Sequence, residues 1–271
     1  DQDTITVQEP QDPITVVASV TQNLICYGDS NGVAQVNAIG GIMPYTYLWP
    51  TGDTTNFSTN LWAGTHNVIV TDANGCSVTT SVLITNIYNP FTISLDTLQH
   101  VQCNGEENGE VSLSVNAGGV SPYTFQWSTG QTYIGPGLDT AFNLDAGGHW
   151  VIITDAYGCD TIISFTIEEP PTLYAQANSI QPVQCFGDDD GMAYTWGLGG
   201  TGLLTYTYSW SPISNTNDTI TNLPPGIYTA SVIDTNGCIA SDTVLITEPA
   251  QLFVDIIDSL AIYSYCLGTN S

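Results

Sequence analysis

The sequence has 271 residues, 26 of them Asp or Glu, with 3 His and no Lys or Arg, so its formal charge at pH 7 is −26. Because nucleic acids and anionic lipids are bound through basic side chains, this composition excludes both as partners. The lack of lysine also excludes Schiff-base chemistry, P-loop nucleotide binding and lysine-asparagine isopeptide crosslinks. With 42% hydrophobic residues the chain is expected to fold, and no apolar run is long enough to insert into a membrane as a helix.

In chain order, the same set of motifs recurs with a period of about 80 residues. Each copy opens on a Cys-x-Gly loop, at Cys26, Cys103, Cys185 and Cys266, in steps of 77, 82 and 81 residues. A glycine-rich turn, an aromatic strand ending in Trp, a Leu-x-x-Gly pattern and an Asp-x-x-Gly-Cys hairpin follow. We predict the last strand of a preceding repeat at 1–10, repeats at 11–90, 91–170 and 171–249, and the start of a further repeat at 250–271, as in a segment of a longer array.

Short runs of β-branched residues before each Asp-x-x-Gly turn predict buried strands and hairpins. Turn signals recur about every ten residues and no segment has helical periodicity, which predicts an all-β fold of tandem immunoglobulin-like or fibronectin-like β-sandwich repeats. Leu223 to Tyr228 looks like the tyrosine corner of such sandwiches, with His66 and His149 in the matching places.

One tryptophan at the end of the aromatic strand of each repeat is predicted to lie in the core: Trp49, Trp127 and Trp210. The alternative is an exposed aromatic platform for a sugar.

Six of the seven cysteines divide evenly among the three repeats, which favours disulfides and an oxidising, extracellular location. The first-ranked pairing stays within each repeat: Cys26–Cys76, Cys103–Cys159 and Cys185–Cys238. The second-ranked pairing bridges neighbouring repeats, as Cys76–Cys103 and Cys159–Cys185.

The ordered set Cys-x-Gly-x-x-x-Gly, Gly-Gly, Pro-Tyr-x-x-x-Trp, Leu-x-x-Gly-x-Tyr/His and Asp-x-x-Gly-Cys resembles the SprB-type repeat. That family builds very large cell-surface adhesins of Bacteroidetes, including adhesins of gliding motility, and the resemblance implies a surface location and type IX secretion. The third copy departs from the pattern around Gly199 and Gly200, where the proline of the Gly-Gly-x-x-Pro approach is missing.

A second resemblance is to the O-glycosylation signal of Bacteroidetes, in which Asp precedes the modified Ser or Thr. It predicts glycans at Thr4, Thr54, Thr97, Thr140, Thr161, Thr219, Thr243 and Ser259. The alternative is structural, because Asp-Thr is a favourable junction between a turn and a strand.

Acidic residues in the Cys-x-Gly loops are candidate Ca²⁺ ligands: Asp29, Asp188, Asp189 and Asp190. The alternative is an Asx-type turn with solvated carboxylates, and no other cofactor is expected. His66 and His149 are repeat equivalents and His100 has no second ligand at metal spacing, so we predict no enzyme active site.

Together these features predict a non-enzymatic extracellular repeat array that forms a cell-surface rod or filament for adhesion. Its expected partners are neighbouring repeats of the same chain, other copies in a filament, and a surface or glycan ligand that the sequence does not identify. Two alternatives stay open: a calcium-assisted carbohydrate-binding array, and a pilin-like subunit that polymerises by strand exchange through Asp3 to Pro10.

Overall fold

The computed structural model describes residues 12–202 and 205–254. Regular structure within these ranges is entirely β-strand, and none of it is a helix of the length and apolar character needed to cross a membrane. The strand predicted at 1–10 and the Cys266 loop lie outside the described residues, as do Thr4 and Ser259.

The first repeat contains six strands, β1 (Thr15–Gln22), β2 (Gly32–Ile39), β3 (Thr46–Leu48), β4 (Phe57–Leu61), β5 (Gly64–Thr71) and β6 (Ser77–Ile84). They form two antiparallel sheets in the orders β1-β2-β4 and β3-β5-β6. Along β5, His66, Val68 and Val70 are buried while the residues between them are exposed. This alternation is the period of two that places one face of a strand against a core.

The second repeat contains β7 (Thr92–Gln99), β8 (Gly109–Ala117), β9 (Tyr123–Trp127), β10 (Thr132–Gly135), β11 (Leu138–Leu144), β12 (Gly147–Thr154) and β13 (Asp160–Ile167). Their orders are β11-β8-β7 and β10-β9-β12-β13. The extra strand β10 pairs with β9 and widens the second sheet at its edge.

The third repeat contains β14 (Tyr174–Gln181), β15 (Gly191–Leu198), β16 (Thr207–Ser211), β17 (Thr219–Leu223), β18 (Gly226–Ile233) and β19 (Ile239–Ile246). Their orders, β14-β15-β17 and β16-β18-β19, repeat the arrangement of the first repeat. The predicted all-β fold of tandem immunoglobulin-like sandwiches is therefore confirmed.

Each repeat has its own hydrophobic core, built from both of its sheets. In the first repeat, for example, Ala34 and Leu61 of one sheet are grouped with Val68 and Ile84 of the other. Burial of these side chains supplies the main stabilisation of a sandwich, at about 25 cal/mol per Å² of apolar surface.

The described chain divides into two compact units. The first comprises residues 12–101 and 107–168, and the second comprises residues 102–106 with the described residues from 169 to 254. The Cys103 loop is therefore grouped with the third repeat, although the strands on either side of it, β7 and β8, belong to the second repeat.

Candidate functional site at the disulfide junctions

Two disulfides occur in the described residues, Cys26–Cys159 in the first unit and Cys103–Cys238 in the second. Their Cα atoms lie 5.2 and 5.6 Å apart, across sequence separations of 133 and 135 residues. Each bond joins the Cys-x-Gly loop of one repeat to the Asp-x-x-Gly-Cys hairpin of the next. Both pairings predicted from the sequence are therefore wrong.

The geometry of one sandwich explains why the pairing within a repeat fails. The N–H of Leu24 donates to Thr85 O at 3.0 Å, so the Cys26 loop lies beside the end of β6. The Cys76 hairpin lies at the start of the same strand. Because β6 has eight residues, the two ends are separated by about 26 Å, whereas a disulfide requires Cα atoms within about 7 Å of each other.

A buried aspartate organises the hairpin of each repeat. Asp72, Asp155 and Asp234 are only 7, 6 and 6% exposed. Oδ1 of each accepts two backbone N–H bonds across its own turn, including the N–H of the hairpin cysteine, at 2.8 to 2.9 Å. This local bonding fixes the direction in which the cysteine leaves the turn.

The second carboxylate oxygen of the same aspartate binds the glycine-rich turn across the sandwich end. Oδ2 accepts the N–H of Ile42 at 3.1 Å in the first repeat and that of Val120 at 2.9 Å in the second. In the third repeat the donors are the N–H and hydroxyl of Thr201, at 2.8 and 3.0 Å. The aspartate thus fixes the hairpin and the turn relative to each other.

These hydrogen bonds shift the acidity of two of the carboxyl groups. Burial acts to raise the pKa of Asp72, but backbone N–H groups of Cys76, Ile42, Asn74 and Gly75 outweigh it and hold that pKa below the ordinary value of 3.8. The pKa of Asp234 is lowered in the same way, against burial, chiefly by bonds from Thr201 and Cys238. Both side chains therefore favour the ionised form.

At the first junction, aromatic and apolar side chains surround the disulfide. Tyr88, between the two repeats, stacks on Tyr157 of the second hairpin with ring centroids 5.4 Å apart and an interplanar angle of 21°. Its hydrogen bond with Tyr157, its desolvation and the nearby negative charge of Asp155 raise the pKa of Tyr88. The junction contains a partly open pocket of about 180 Å³ whose lining includes Cys26, Tyr27, Phe91 and Cys159.

At the second junction, polar contacts hold the loop around Cys103. The Asn236 side chain donates to Gln102 O at 3.0 Å, and Asn104 donates to Pro170 O at 3.1 Å. The N–H of Gly105 donates to the Glu169 carboxylate at 2.8 Å. The Asn236 bond and the disulfide attach the loop to the third repeat, and the bonds to Glu169 and Pro170 attach it to the end of the second repeat.

Cys76 and Cys185, which the sequence predicts to be disulfide-bonded, are free and exposed. The hairpin equivalents of Cys76 are Cys159 and Cys238, which are bonded and only 6 and 8% exposed. The loop equivalents of Cys185 are Cys26 and Cys103, which are also bonded. The two free thiols are thus the hairpin cysteine of the first repeat and the loop cysteine of the third.

The tryptophans predicted for the core, Trp49, Trp127 and Trp210, are 2, 2 and 4% exposed. Each indole N–H donates to an acceptor within its own repeat, namely Thr55 O, the Asp139 carboxylate and Asn217 O, at 2.7 to 3.0 Å. Rings buried in this way offer no face to a sugar.

The predicted tyrosine corner has the same geometry in all three repeats. The Tyr228 hydroxyl donates to Pro224 O at 2.9 Å. Nε2 of His66 and of His149 binds the carbonyl four residues upstream, at 2.7 and 2.9 Å. His100 is exposed, and its Nδ1 accepts the Glu168 N–H at 3.0 Å.

The acidic residues of the Cys-x-Gly loops make local contacts. Asp29 accepts a bond from the Asn31 amide at 3.2 Å, and Asp190 accepts the Gln184 N–H at 2.9 Å, while Asp188 and Asp189 are exposed. No group of three or more Cys, His, Asp or Glu suited to a metal ion occurs in residues 12–202 and 205–254. Calcium binding at these residues stays a prediction.

The glycosylation candidates within the described residues are either exposed or partly buried. Thr54, Thr97 and Thr243 are exposed, and the partly buried ones are Thr140, Thr161 and Thr219. Their modification stays a prediction.

Two features of the site are not among those predicted from the sequence. One is the dual role of Asp72 and its equivalents, for which their identical position before each hairpin cysteine is the sequence signal. Asn60, Asn143 and Asn222 all have a positive φ, between 57° and 61°. This left-handed conformation, which Asn tolerates better than most residues, coincides with a register shift beside β4 and its equivalents.

The SprB repeat family matches residues 18–54 and 95–132 of this chain. These segments contain the Cys-x-Gly loops of the first two repeats, and each segment is similar to an SprB repeat. No curated protein matches the sequence significantly.

Several solved structures are similar to this chain at low sequence identity. A 282-residue C-terminal fragment of intimin, in complex with the translocated intimin receptor's intimin-binding domain, is 18% identical with a TM-score of 0.34, and the match covers 59% of this chain and 64% of that one. Three N-terminal domains of the Hoc capsid protein of bacteriophage RB49 are 14% identical with a TM-score of 0.32, over 87% of this chain and 96% of that one.

The N-terminal eight immunoglobulin domains of Down Syndrome Cell Adhesion Molecule are 14% identical with a TM-score of 0.35, over 86% of this chain and 36% of that one. At such TM-scores, the assignment of the fold depends on the strands and sheets described above.

Proposed function

We propose that this chain is part of a non-enzymatic, extracellular array in which disulfides link consecutive sandwiches into a cell-surface rod for adhesion. The observation that carries the proposal is the Cys26–Cys159 bond, which joins the loop of one repeat to the hairpin of the next. Neither cysteine belongs to the hydrophobic core cluster of its repeat. The bond limits how far two consecutive repeats can separate. Such a limit is useful in a segment of a surface rod that is under tension.

An oxidising, extracellular setting follows from the use of disulfides, and the SprB-type repeats support a surface location. The same proposal has four more specific parts: export by the type IX system, placement in a Bacteroidetes adhesin, O-glycosylation and a part in gliding. They rest on the resemblance of the motifs. Comparing the mass of the native chain before and after chemical deglycosylation tests the glycans.

The absence of catalysis is proposed because the notable polar side chains already have structural roles. His66, His149 and Tyr228 occupy one repeated corner, and Asp72 and its equivalents bond the backbone. Catalytic groups need lone pairs or protons in reach of a substrate. The other groups use theirs inside the repeat, and His66, whose Nδ1 has no partner, is only 1% exposed.

The two disulfides create a particular covalent path under tension. The shortest path runs from residue 1 to Cys26, across to Cys159, back along the chain to Cys103, across to Cys238 and on to residue 271. Residues 27–102 and 160–237 then carry no load, even after every sheet has been pulled apart. At about 3.5 Å per residue, the maximum extension is about 400 Å, against about 950 Å for the reduced chain.

Single-molecule pulling from the two ends of the chain tests this role. We expect extension to stop at about 400 Å under oxidising conditions and to reach about 950 Å after a thiol reductant is added. The matched control is a Cys26→Ser/Cys159→Ser/Cys103→Ser/Cys238→Ser chain, which should reach the longer extension in both conditions. An oxidised native chain that extends as far as this control would contradict the proposed function.

A further inference from the structure

The free thiols Cys76 and Cys185 have the same local backbone hydrogen bonding as the disulfide-bonded cysteines at the equivalent positions of other repeats. The N–H of Cys76 donates to Asp72 at 2.9 Å, as the N–H of Cys159 does to Asp155 and that of Cys238 to Asp234. The hairpin is therefore formed in the same way whether or not its cysteine has a partner.

The Cys-x-Gly loop is equally independent of its disulfide. The N–H of Asp188 donates to Cys185 O at 3.1 Å, as Glu106 does to Cys103 O at 3.1 Å. The N–H of Gly187 donates to the Glu248 carboxylate at 3.1 Å, which repeats the bond from Gly105 to Glu169. The Cys185 loop is thus already shaped like the bonded Cys103 loop.

A groove beside Cys76 provides a second, separate observation. It has a volume of about 300 Å³, and most of its lining is apolar, including Pro13, Ile14 and Ile42. The corresponding surface of the second repeat includes Phe91, Gly119 and Cys159, and there the Cys26 loop lies against it, with Ile25 and Tyr27 in the lining of the junction. The first repeat presents the same hairpin and the same groove, and none of residues 12–202 and 205–254 places a loop in it.

We propose that this groove binds the Cys-x-Gly loop of a further repeat of the same type, joined in tandem before the first repeat, and that Cys76 forms a disulfide with the cysteine of that loop. The Cys185 loop is the matching half for the hairpin of a repeat that follows the third. The inference rests on the proposed function and extends it, because every consecutive pair of repeats would then be covalently linked. The occupant is identified by continuity with the junction at Cys159, where the loop comes from the preceding repeat.

Tandem attachment is favoured over a second, separate copy because a tethered loop has a high effective concentration at the groove. Residues 3–10, Asp-Thr-Ile-Thr-Val-Gln-Glu-Pro, match residues 242–249, Asp-Thr-Val-Leu-Ile-Thr-Glu-Pro, at the end of the third repeat. A repeat joined at Asp3 would therefore enter the first repeat through the sequence with which a repeat normally ends.

The chemistry is a two-electron oxidation. The Cys76 thiol and the loop thiol lose two protons and two electrons as their sulfur atoms join, and a small-molecule or enzyme disulfide is reduced to two thiols. Thiol-disulfide exchange of this kind needs access to the attacking sulfur, which the exposed Cys76 provides.

The test is an extended chain in which residues 171–241 are placed directly before Asp3 of the full sequence. It is folded in a glutathione redox buffer, alkylated, and cleaved at acidic residues, since trypsin has no Lys or Arg to recognise. We expect a new disulfide between the added loop cysteine and Cys76, and a loss of Cys76 alkylation of about tenfold or more relative to the parent chain. The control carries Cys185→Ser in the added copy only, and its Cys76 should stay reactive.

The outcomes separate the inference from the proposed function. A Cys76 that stays reactive in the extended chain, while Cys26–Cys159 and Cys103–Cys238 form, overturns the inference alone. Loss of Cys26–Cys159 and Cys103–Cys238 in the parent chain overturns the proposed function. Parent chains that dimerise through Cys76 of one copy and Cys185 of another would assign the groove to a second copy and overturn the tandem occupant.

Discussion

At the scale of single residues, the most informative position is the aspartate before each hairpin cysteine. One oxygen of its carboxylate accepts hydrogen bonds from the hairpin turn, and the other accepts a hydrogen bond from the glycine-rich turn. A single side chain therefore fixes the end of the sandwich at which the disulfide forms. A buried carboxylate with this many donors is stabilised in its charged form.

This arrangement predicts a pH dependence for Asp72. Its pKa is lower in the folded protein than in the unfolded chain, so its contribution to stability is present above pH 4 or so and is lost as the pH falls through the lowered value. We expect the difference in unfolding free energy between the native protein and Asp72→Asn to be constant above about pH 5 and to shrink below about pH 4. Urea unfolding at a series of pH values measures it.

The other acidic residues are the same in both proteins, and their protonation also relieves charge repulsion. Their effect cancels when the unfolding free energy of the variant is subtracted from that of the native protein. Asp234→Asn should behave in the same way, because the pKa of Asp234 is lowered too. A difference that does not depend on pH would show that the charge of these groups is unimportant.

The tyrosine corner gives a second prediction at this scale. Tyr228→Phe keeps the buried ring but removes the hydroxyl that donates to Pro224 O at 2.9 Å. We expect a loss of about 1 kcal/mol in the unfolding free energy of the third repeat. Tyr174→Phe, at an exposed tyrosine of the same repeat, is the control and should change the free energy by less than about 0.5 kcal/mol. Equal effects of the two substitutions would contradict a structural role for the corner.

At the scale of elements, a close backbone contact sets how the Cys-x-Gly loop enters the sandwich. Gly32, Gly109 and Gly191 begin β2, β8 and β15. A Cβ atom at Gly109 would lie 2.8 Å from Leu144 O and 3.0 Å from a methyl carbon of Ile167. The second glycine of the Cys-x-Gly-x-x-x-Gly motif is thus required by packing.

Gly109→Ala is therefore expected to destabilise the second repeat by about 1–3 kcal/mol through overpacking. Gly148→Ala, in β12 of the same repeat, is the matched control, since a Cβ atom there meets nothing within 4 Å. It should be neutral or slightly stabilising because alanine loses less backbone entropy than glycine on folding. Chemical denaturation of both variants measures the difference, and a Gly109→Ala variant as stable as Gly148→Ala would contradict the packing argument.

The sequence predicted the type of these elements but missed part of their pairing. Alternating burial in β5 and the hairpin turn after it follow from local patterns of apolar residues and Asp-x-x-Gly. The left-handed conformation of Asn60 and the register shift beside it do not follow from such local patterns, because Asn before Leu in a polar segment carries no distinctive local signal.

At the scale of the whole molecule, the dominant feature is a formal charge of −26 without a single Lys or Arg to compensate it. Like charges on a folded chain repel one another, and dissolved salt screens this repulsion.

We therefore expect the thermal unfolding midpoint to rise as NaCl increases from about 0.01 to 0.15 M, over which the Debye length falls from about 30 to about 8 Å. A neutral osmolyte at matched osmolarity is the control and should not reproduce the salt-specific part of the rise. CaCl₂ at equal ionic strength separates screening from the predicted Ca²⁺ binding, which requires a further increase beyond that given by MgCl₂. A midpoint that is insensitive to NaCl would show that the charges are too far apart to interact.

The sequence by itself determined the repeat period, the all-β class, the turn chemistry and the positions of the core tryptophans, because these depend on neighbours along the chain. Only the tertiary structure decided the disulfide pairing. The loop and the hairpin of one repeat lie at opposite ends of an eight-residue strand, and Cys26 and Cys103 each meet the hairpin of the following repeat, more than a hundred residues away. Cysteine spacing along a chain carries no information on which end of a sandwich each cysteine occupies, and this is why both pairings drawn from it failed.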